Sequence, residues 1–338
     1  MKFSLIVPVY NRPEEIKALL ESLRNQEDKG FECLIVEDGS SLPCKDICSS
    51  FADEVDIKYF YKENEGRSIA RNYGMDRADG DYFVFVDSDC ILPPDYFSKL
   101  RKRLSDDYSD FFGGPDAAHS SFNSLQKAIN FAMTSFLTTG GVRGGKIKLE
   151  KFVPRTFNMG FSKLVYKRVG GFREMFSEDI DMSTRIRLAG FYPSFYPDVK
   201  VYHKRRVNLK KFWRQVHIFG MSRITLMQLY PGSLKLVHCL PALFVVFSSA
   251  MLACFVTGIC LNSLLLILLG SPLWIYIILI FITASLSMKS IKIGCLSVVT
   301  SLIQLWGYGT GFISAFLTNI VLGHGRNPNK EIQLRKGK

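Results

Sequence analysis

Apolar positions change their spacing several times along this chain, and each change marks an element. Residues 3–9 are a short unbroken apolar run, the pattern of a strand buried on both faces. Ile16, Leu19, Leu20 and Leu23 then recur at i, i+3, i+4 and i+7, which predicts a helix with one core-facing stripe. Pro13 suits its first position, and Glu14 and Glu15 complement the dipole of its first turn. Residues 31–36, 55–61 and 82–86 repeat the strand pattern. Residues 43–52 and 66–78 lie between them as helices. In the second of these, Ile69 and Tyr73 are four apart, and so are Arg67 and Arg71, so each pair shares a face. The order βαβαβαβ predicts an α/β fold, Rossmann-like, with a mostly parallel sheet and right-handed crossovers.

The pattern changes again past residue 230. From residue 236 to 322 the chain is nearly uncharged, which predicts a C-terminal α-helical transmembrane region after a catalytic domain. Residues 236–257 and 264–286 read as two spans, the second with a possible kink at Gly270-Ser271-Pro272. Residues 293–322 form a third apolar stretch interrupted by Gly307-Tyr308-Gly309-Thr310-Gly311. The division expected is a domain over 1–207, an amphipathic interfacial helix over 208–234, about three transmembrane helices over 235–323 and a basic tail over 324–338. In the interfacial helix Phe212, Val216 and Phe219 take one side, Lys210, Lys211 and Arg214 lie elsewhere, and Trp213 adds an aromatic anchor.

Charge sharpens this division. With 43 Lys and Arg against 31 Asp and Glu, the net charge is +12, and the excess flanks the apolar block. Basic flanks beside membrane segments point to anionic head groups. No nucleic-acid-binding motif accompanies the charge, so nucleic acid is not an expected partner. The positive-inside rule places the domain, the loop at residues 288–292 and the tail on the cytoplasmic side. Three full spans put the tail outside. Three spans are the reading adopted, with a re-entrant or interfacial third stretch as the alternative. The eight cysteines form no disulfide framework and no zinc spacing, and all read as reduced. The apolar start, interrupted by Pro8 and lacking a small-residue cleavage site, reads as a strand and not as a signal peptide.

Acidic residues recur where predicted strands end: Glu37-Asp38 after the second, and Asp87-Ser88-Asp89 after the run at 82–86. Open parallel sheets place their ligands beyond the carboxyl ends of strands, so these acids converge on one cleft. The triplet also suits a polar turn that caps the next element. Arg67 and Arg71 just upstream shift the balance: guanidiniums beside paired carboxylates suit a phosphate on one side and a divalent cation on the other. Ser177-Glu178-Asp179-Ile180-Asp181 opens a helix that runs to about Ala189. Three acids there either serve the helix dipole or supply a base, and Asp181 pairs naturally with Arg185 at i+4.

The segments VPVYNRPEE, VEDGSS, NEGRSIARNYG, FVDSD, NMGFS with GGF, and SEDIDMSTRIRLAG stand in order at typical spacings. Over about residues 1–225 the sequence resembles the family 2 glycosyltransferases with a GT-A fold, of the membrane-anchored type. That resemblance implies an inverting transfer from a nucleotide-sugar donor, UDP-sugar being commonest, with Mn²⁺ or Mg²⁺. It places Pro8, Tyr10 and Arg12 along the nucleotide, Asp38 at the base, and Arg67 and Arg71 near the ribose and diphosphate. It assigns Asp87 to ribose or metal, Asp89 to metal, Asp179 to the catalytic base, and its neighbour Glu178 to the catalytic site, holding the acceptor or shaping the site. His203 stands where some relatives have a further metal ligand. The family's second motif usually has two aspartates; here the first is Glu37. The expected acceptor is a hydroxyl of a lipid-linked or saccharide chain at a membrane, with the domain cytoplasmic on a bacterial inner membrane. Phe212-Trp213-Arg214-Gln215 lacks the Gln/Arg-x-x-Arg-Trp pattern of processive members, which favours single-sugar transfer. A polyprenyl-phosphate glycosyltransferase and a catalytically dead membrane scaffold are the alternatives.

GGVRGGK at residues 140–146 matches the first part of a phosphate-binding loop. It has Ile147 where Ser or Thr should bind magnesium, and it follows a helix-like stretch at 122–137. It reads instead as a glycine-rich loop over the acceptor side, or as a linker.

Overall fold

The computed structural model describes residues 1–117, 122–140, 152–203 and 208–323, with His203 described by its backbone alone. In chain order the elements are β1 (Phe3–Val9), α1 (Pro13–Arg24), β2 (Phe31–Asp38), α2 (Lys45–Ser49), β3 (Ile57–Lys62), α3 (Arg67–Met75), β4 (Tyr82–Phe85), β5 (Cys90–Ile91), α4 (Tyr96–Asp106), β6 (Phe111–Gly113) and β7 (Asp116–Ala117). There follow α5 (Ser124–Thr134), α6 (Phe136–Thr139), β8 (Met159–Ser162), α7 (Lys163–Val169), α8 (Glu178–Leu188), β9 (Ser194–Phe195) and β10 (Val201–His203). The chain ends with α9 (Leu209–Leu229), α10 (Leu236–Cys260), α11 (Leu264–Met288) and α12 (Ile291–Phe316), whose last turn widens into a π-helix over Leu317–Val321.

The chain forms two compact units: residues 1–119 with 152–204, and residues 120–151 with 205–338. The first is built on a seven-stranded sheet of order β3-β2-β1-β4-β8-β6-β9. Strands β1 to β4 are mutually parallel, and β8 runs antiparallel between β4 and β6. Strand periodicity sorts the side chains into two layers. Leu5, Val7, Tyr82, Val84 and Val86 face one core with the α1 and α4 side chains Leu20 and Phe97. Ile6, Leu34, Phe83 and Phe85 face the other, with Val165, Met182 and Ile186 from α7 and α8. Each such side chain contributes roughly 1.5–3 kcal/mol by leaving water. The strand order reverses direction after β1: β2 and β3 lie on one side of it and β4 on the other. Such a switch point, at the strands' carboxyl ends, is where open α/β sheets bind ligands. A small sheet, β5-β10-β7, pairs His203 with Cys90 just after the Asp87–Asp89 turn.

The second unit combines α5 and α6 with α9 to α12. Residues 120–151, expected within a domain ending at 207, fall here because Ile129 and Met133 of α5 bury against Phe212 and Val216 of α9. The helix expected over 122–137 is two helices. Asn123 opens α5 with a reciprocal capping box to Gln126, and the chain turns extended at Ser135 before α6. Beyond Gly140 the glycine-rich loop lies outside the described residues, as does the basic tail. Among the described residues three helices are long and apolar enough to cross a membrane: α10, α11, and α12 with its terminal π-turn. Helix α11 carries Pro272, the residue at which a kink is expected, inside its length. The break expected at Gly307-Tyr308-Gly309-Thr310-Gly311 is absent, since α12 continues through all three glycines. Those glycines do not break the helix because they let neighbouring backbones approach. A Cβ on Gly311 would strike the His217 carbonyl, and one on Gly309 the Pro241 carbonyl.

Candidate active site

Charged side chains collect beyond the carboxyl ends of β1, β2 and β4. After β1 the chain turns through Asn11, which has φ 52°, in the left-handed region that Asn tolerates. The Asn11 side-chain oxygen accepts from the Leu42 amide at 2.9 Å and the Ser41 hydroxyl at 3.1 Å, while its amide donates to Ser40 Oγ. The loops after β1 and β2 are thereby stitched together. This fixes the chain on either side: Tyr10, 53 % exposed, and Arg12 at the start of α1. Pro8 is half-buried near the end of β1.

Arg12 reaches across the switch point and donates from Nη1 to Asp89 Oδ2 at 2.7 Å. Burial opposes the Arg12 charge, but the Asp89 carboxylate outweighs it, and the pKa of Arg12 rises. Asp87 Oδ1 accepts from Arg71 Nη2 at 2.9 Å. The other Arg71 nitrogen, Nη1, donates to Glu178 Oε1 at 2.9 Å, and Arg67 Nη2 donates to Glu178 Oε2 at 2.7 Å. Arg71 is 1 % exposed and Glu178 2 %. The shared face of Arg67 and Arg71 is thus directed at one buried carboxylate from α8. The Phe172 ring lies 5.5 Å from the Arg71 guanidinium. Asn72 clamps the Phe172 backbone with two hydrogen bonds, 2.9 and 2.7 Å, tying α3 to the loop before α8.

Asp179 is placed differently from Glu178. Its Oδ1 accepts from the Ile180 amide at 2.8 Å, and its Oδ2 lies 3.4 Å from Arg155 Nη1. Its side chain keeps 17 % of its surface exposed. Ser177 stands at the start of α8 as expected, but in the left-handed region and without a side-chain capping bond. Asp181 is buried between Arg185 at 2.9 Å and Arg173 at 3.1 Å, which fits the pairing read from sequence.

Asp38, expected at the nucleotide base, spends its carboxylate on its own chain. Oδ1 accepts from Lys62 Nζ at 2.9 Å and the Glu65 amide at 3.0 Å, and Oδ2 from the Gly66 amide at 2.9 Å. Glu37 is fully buried and accepts from the Cys44 amide, the Cys44 thiol and the Tyr59 hydroxyl. Glu37, where the family's motif has an aspartate, thus holds Cys44, the residue before α2, and Tyr59 of β3. The His203 side chain lies outside the described residues, so its metal assignment rests on the resemblance alone.

Sequence reasoning missed Glu174. Gly66 has φ 101°, and the Glu174 carboxyl lies where its Cβ would stand, at the start of α3. Burial raises the Glu174 pKa, the nearby Glu178 adds to this, and Ser68 and Arg67 offset part of it. A carboxyl raised above its unfolded value stabilises fully below that value and loses its contribution as pH rises through the folded value. Glu174→Gln is therefore expected to raise the melting temperature at pH 8 relative to wild type, with the difference closing by pH 4. Melting curves of both proteins across that range check it. Arg155, Lys62 and Asn11 were also missed; each acts through a long-range contact that no local pattern marks.

Among the described residues no three His, Cys, Asp or Glu converge as a metal cage. Asp87 and Asp89 alone still suit Mg²⁺ or Mn²⁺, which are commonly held by one or two carboxylates with phosphate and water oxygens completing the shell. Residues 4–170 match the family model described as glycosyl transferase family 2. This part of the chain is a family 2 glycosyltransferase domain. Glycosyltransferase GlyA of Streptococcus pneumoniae is 38 % identical over 115 residues, 33 % of this chain but 16 % of that protein, so the match covers a small part of that relative's length. The GalNAc(5)-diNAcBac-PP-undecaprenol beta-1,3-glucosyltransferase of Campylobacter jejuni is 25 % identical over 233 residues, 67 % of each chain. In fold, the chain is similar to the mannosyltransferase PcManGT of Pyrobaculum calidifontis, solved with GDP-Man and Mn²⁺. The TM-score is 0.55 at 16 % identity, covering 94 % of this chain and 87 % of that one. The GT-A fold expected from the motifs is the fold observed.

Proposed function

We propose that the protein is a membrane-anchored, inverting glycosyltransferase. It moves one sugar from a nucleoside-diphosphate sugar, a UDP-sugar first, to a hydroxyl of a lipid-linked or glycan acceptor. The observation that carries this reading is the cluster at the switch point. Arg12, Arg67 and Arg71 gather around Asp87, Asp89 and Glu178, with Asp179 beside them on α8. The lipid-linked acceptor is supported by the printed name of the Campylobacter relative.

The leaving nucleoside diphosphate gains negative charge as the bond to the sugar breaks. Arg12, Arg67 and Arg71 supply positive charge fixed in place before that charge develops. Asp87 and Asp89 would hold a divalent ion, whose bound charge would lower the cost of that departure. Asp179 accepts the proton of the acceptor hydroxyl as it attacks. Glu178 becomes a positioning residue: both its oxygens are spent on Arg67 and Arg71, so it orients the phosphate-binding guanidiniums. Tyr10 and Pro8 flank the nucleotide, and Asp38 shapes the base pocket by holding Lys62 and the turn into α3.

The test is thermal stabilisation of the detergent-solubilised protein by a panel of nucleoside diphosphates, with and without Mn²⁺, for wild type and Asp89→Ala. A ligand at 100-fold its Kd stabilises by about 2.7 kcal/mol. Stabilisation by one nucleotide that needs Mn²⁺ and disappears in Asp89→Ala is the expected result. No response to any nucleotide would sink the proposal.

A further inference from the structure

The second unit holds three helices of membrane-spanning length, but its internal contacts do not stack them as three parallel or antiparallel spans. Helices α10 and α11 form an antiparallel hairpin. Gly258 meets Leu266 and Ile267, Met251 and Phe255 meet Gly270, and Phe255 lies 5.3 Å from Trp274. Phe244 lies 5.5 Å from Tyr276. Continued at this register, Pro241 and Val245 of α10 stand level with the region of Ile280 on α11. Helix α12 touches both partners at that one level. Gly294 lies against Phe281 and Ser285, and Val298 packs with Ile280 and Ala284. Gly309 lies against Pro241 and Val245, and Phe312 and Ala315 pack with Ala242. From Gly294 to Gly309 a helix advances about 22 Å. A spanning α12 would move that far along the hairpin. Instead it passes from one leg to the other with almost no axial displacement, so it crosses the hairpin transversely.

The crossing lies near the end of the hairpin where α10 starts and α11 stops, and the charges lie there too. Lys289 and Lys292 are exposed at the start of α12. Helix α9 runs parallel to α12, with Val216 at Gly307, Gly220 at Tyr308 and Phe312, and Ile224 at Phe312 and Ala315. It carries Lys210, Lys211, Trp213 and Arg214 exposed in its first turns. The opposite end of the hairpin, Leu261-Asn262-Ser263, carries no charge. Helix α12 is also the most polar of the three, with Ser297, Thr300 and Ser301 fully buried. Thr300 Oγ1 donates to the Ala128 carbonyl of α5 at 3.0 Å. Lysine, arginine and tryptophan concentrated at one level mark a head-group layer.

We propose that only the α10–α11 hairpin crosses the membrane, and that α12 lies along the membrane surface with α9 beside it. The chain then leaves α12 at Gly323 on the side from which α10 enters. That removes the conflict between three spans and the positive-inside rule. The proposal rests on the membrane anchoring put forward above, though not on the transfer chemistry.

The experiment uses the full chain with one epitope tag before Met1, inserted at Asn262, or after Lys338, in sealed inside-out bacterial vesicles treated with protease. The expected result is that both terminal tags are digested and the Asn262 tag is protected. Digestion of the first tag with protection of the last would overturn the proposal in favour of three spans. Release of the whole protein by alkaline carbonate would overturn it by removing the anchor itself. Depth gives a second readout that needs no tag. In the Trp213→Phe, Trp274→Phe protein, Trp306 should be quenched several-fold more by bromine placed near the head group than at the acyl-chain end. Stronger quenching from the chain end would place α12 across the membrane.

Discussion

Asp179→Asn is expected to reduce the rate of sugar transfer about a thousandfold and to leave donor binding unchanged. The amide keeps the shape of the carboxylate and can still accept from the Ile180 amide, the bond Asp179 Oδ1 makes at 2.8 Å. It cannot take a proton. General base catalysis contributes typically 10²–10⁴-fold, and a thousandfold loss corresponds to about 4 kcal/mol of transition-state stabilisation. Initial rates with labelled donor, measured beside nucleotide-induced thermal stabilisation, separate the two effects. A variant that retains more than a tenth of wild-type turnover would remove Asp179 from the base role and favour an acceptor that attacks without a base. Glu178→Gln should behave in the opposite way. It disturbs Arg67 and Arg71, so its loss should fall on donor binding first.

The second large effect is expected on the fold as well as on binding. Arg71 is 1 % exposed and bridges Asp87 and Glu178, both at 2.9 Å. Arg71→Ala leaves Glu178, itself 2 % exposed, with Arg67 alone, and leaves a void against Phe172. Removing one member of a buried ion pair costs about 3–5 kcal/mol. For a unit of this size that is a fall in melting temperature of about 10 °C. Arg71→Lys should recover part of the stability but little of the nucleotide binding, because an ammonium cannot serve two carboxylates in a fixed fork. Melting in detergent and nucleotide titration of the three proteins test this. A melting temperature for Arg71→Ala equal to wild type would show that the bridge does not hold the site together.

The sheet was legible because its central strands are buried on both faces and therefore read as unbroken apolar runs. Strand β2 runs two residues further than its apolar run, through Glu37 and Asp38. A buried carboxylate looks like a loop residue unless its donors are known, and those of Glu37 are the Cys44 amide and thiol and Tyr59. Local spacing placed Arg67 and Arg71 on one face, but their partner lies more than a hundred residues away, at Glu178. The acids at strand ends could be found from sequence; their pairing with particular arginines could not. Ser177 has the right side chain for a cap, yet it takes a left-handed backbone and makes no capping bond. In α12 the glycines read as a break because intrinsic propensity disfavours them, and close backbone packing overrides that preference.

The excursion of residues 120–151 into the second unit changes what a single cut through the chain would produce. A fragment ending at residue 204 keeps Ile129, Phe131 and Met133 but loses Phe212, Val216, Ile280 and Ala284, the residues that cover them. It would expose the apolar face of α5, and an uncovered apolar patch is an aggregation liability. Isolating the first unit therefore calls for two excisions, the C-terminal helices and the 120–151 segment together. A cut at residue 204 alone separates α5 from the side chains that bury it.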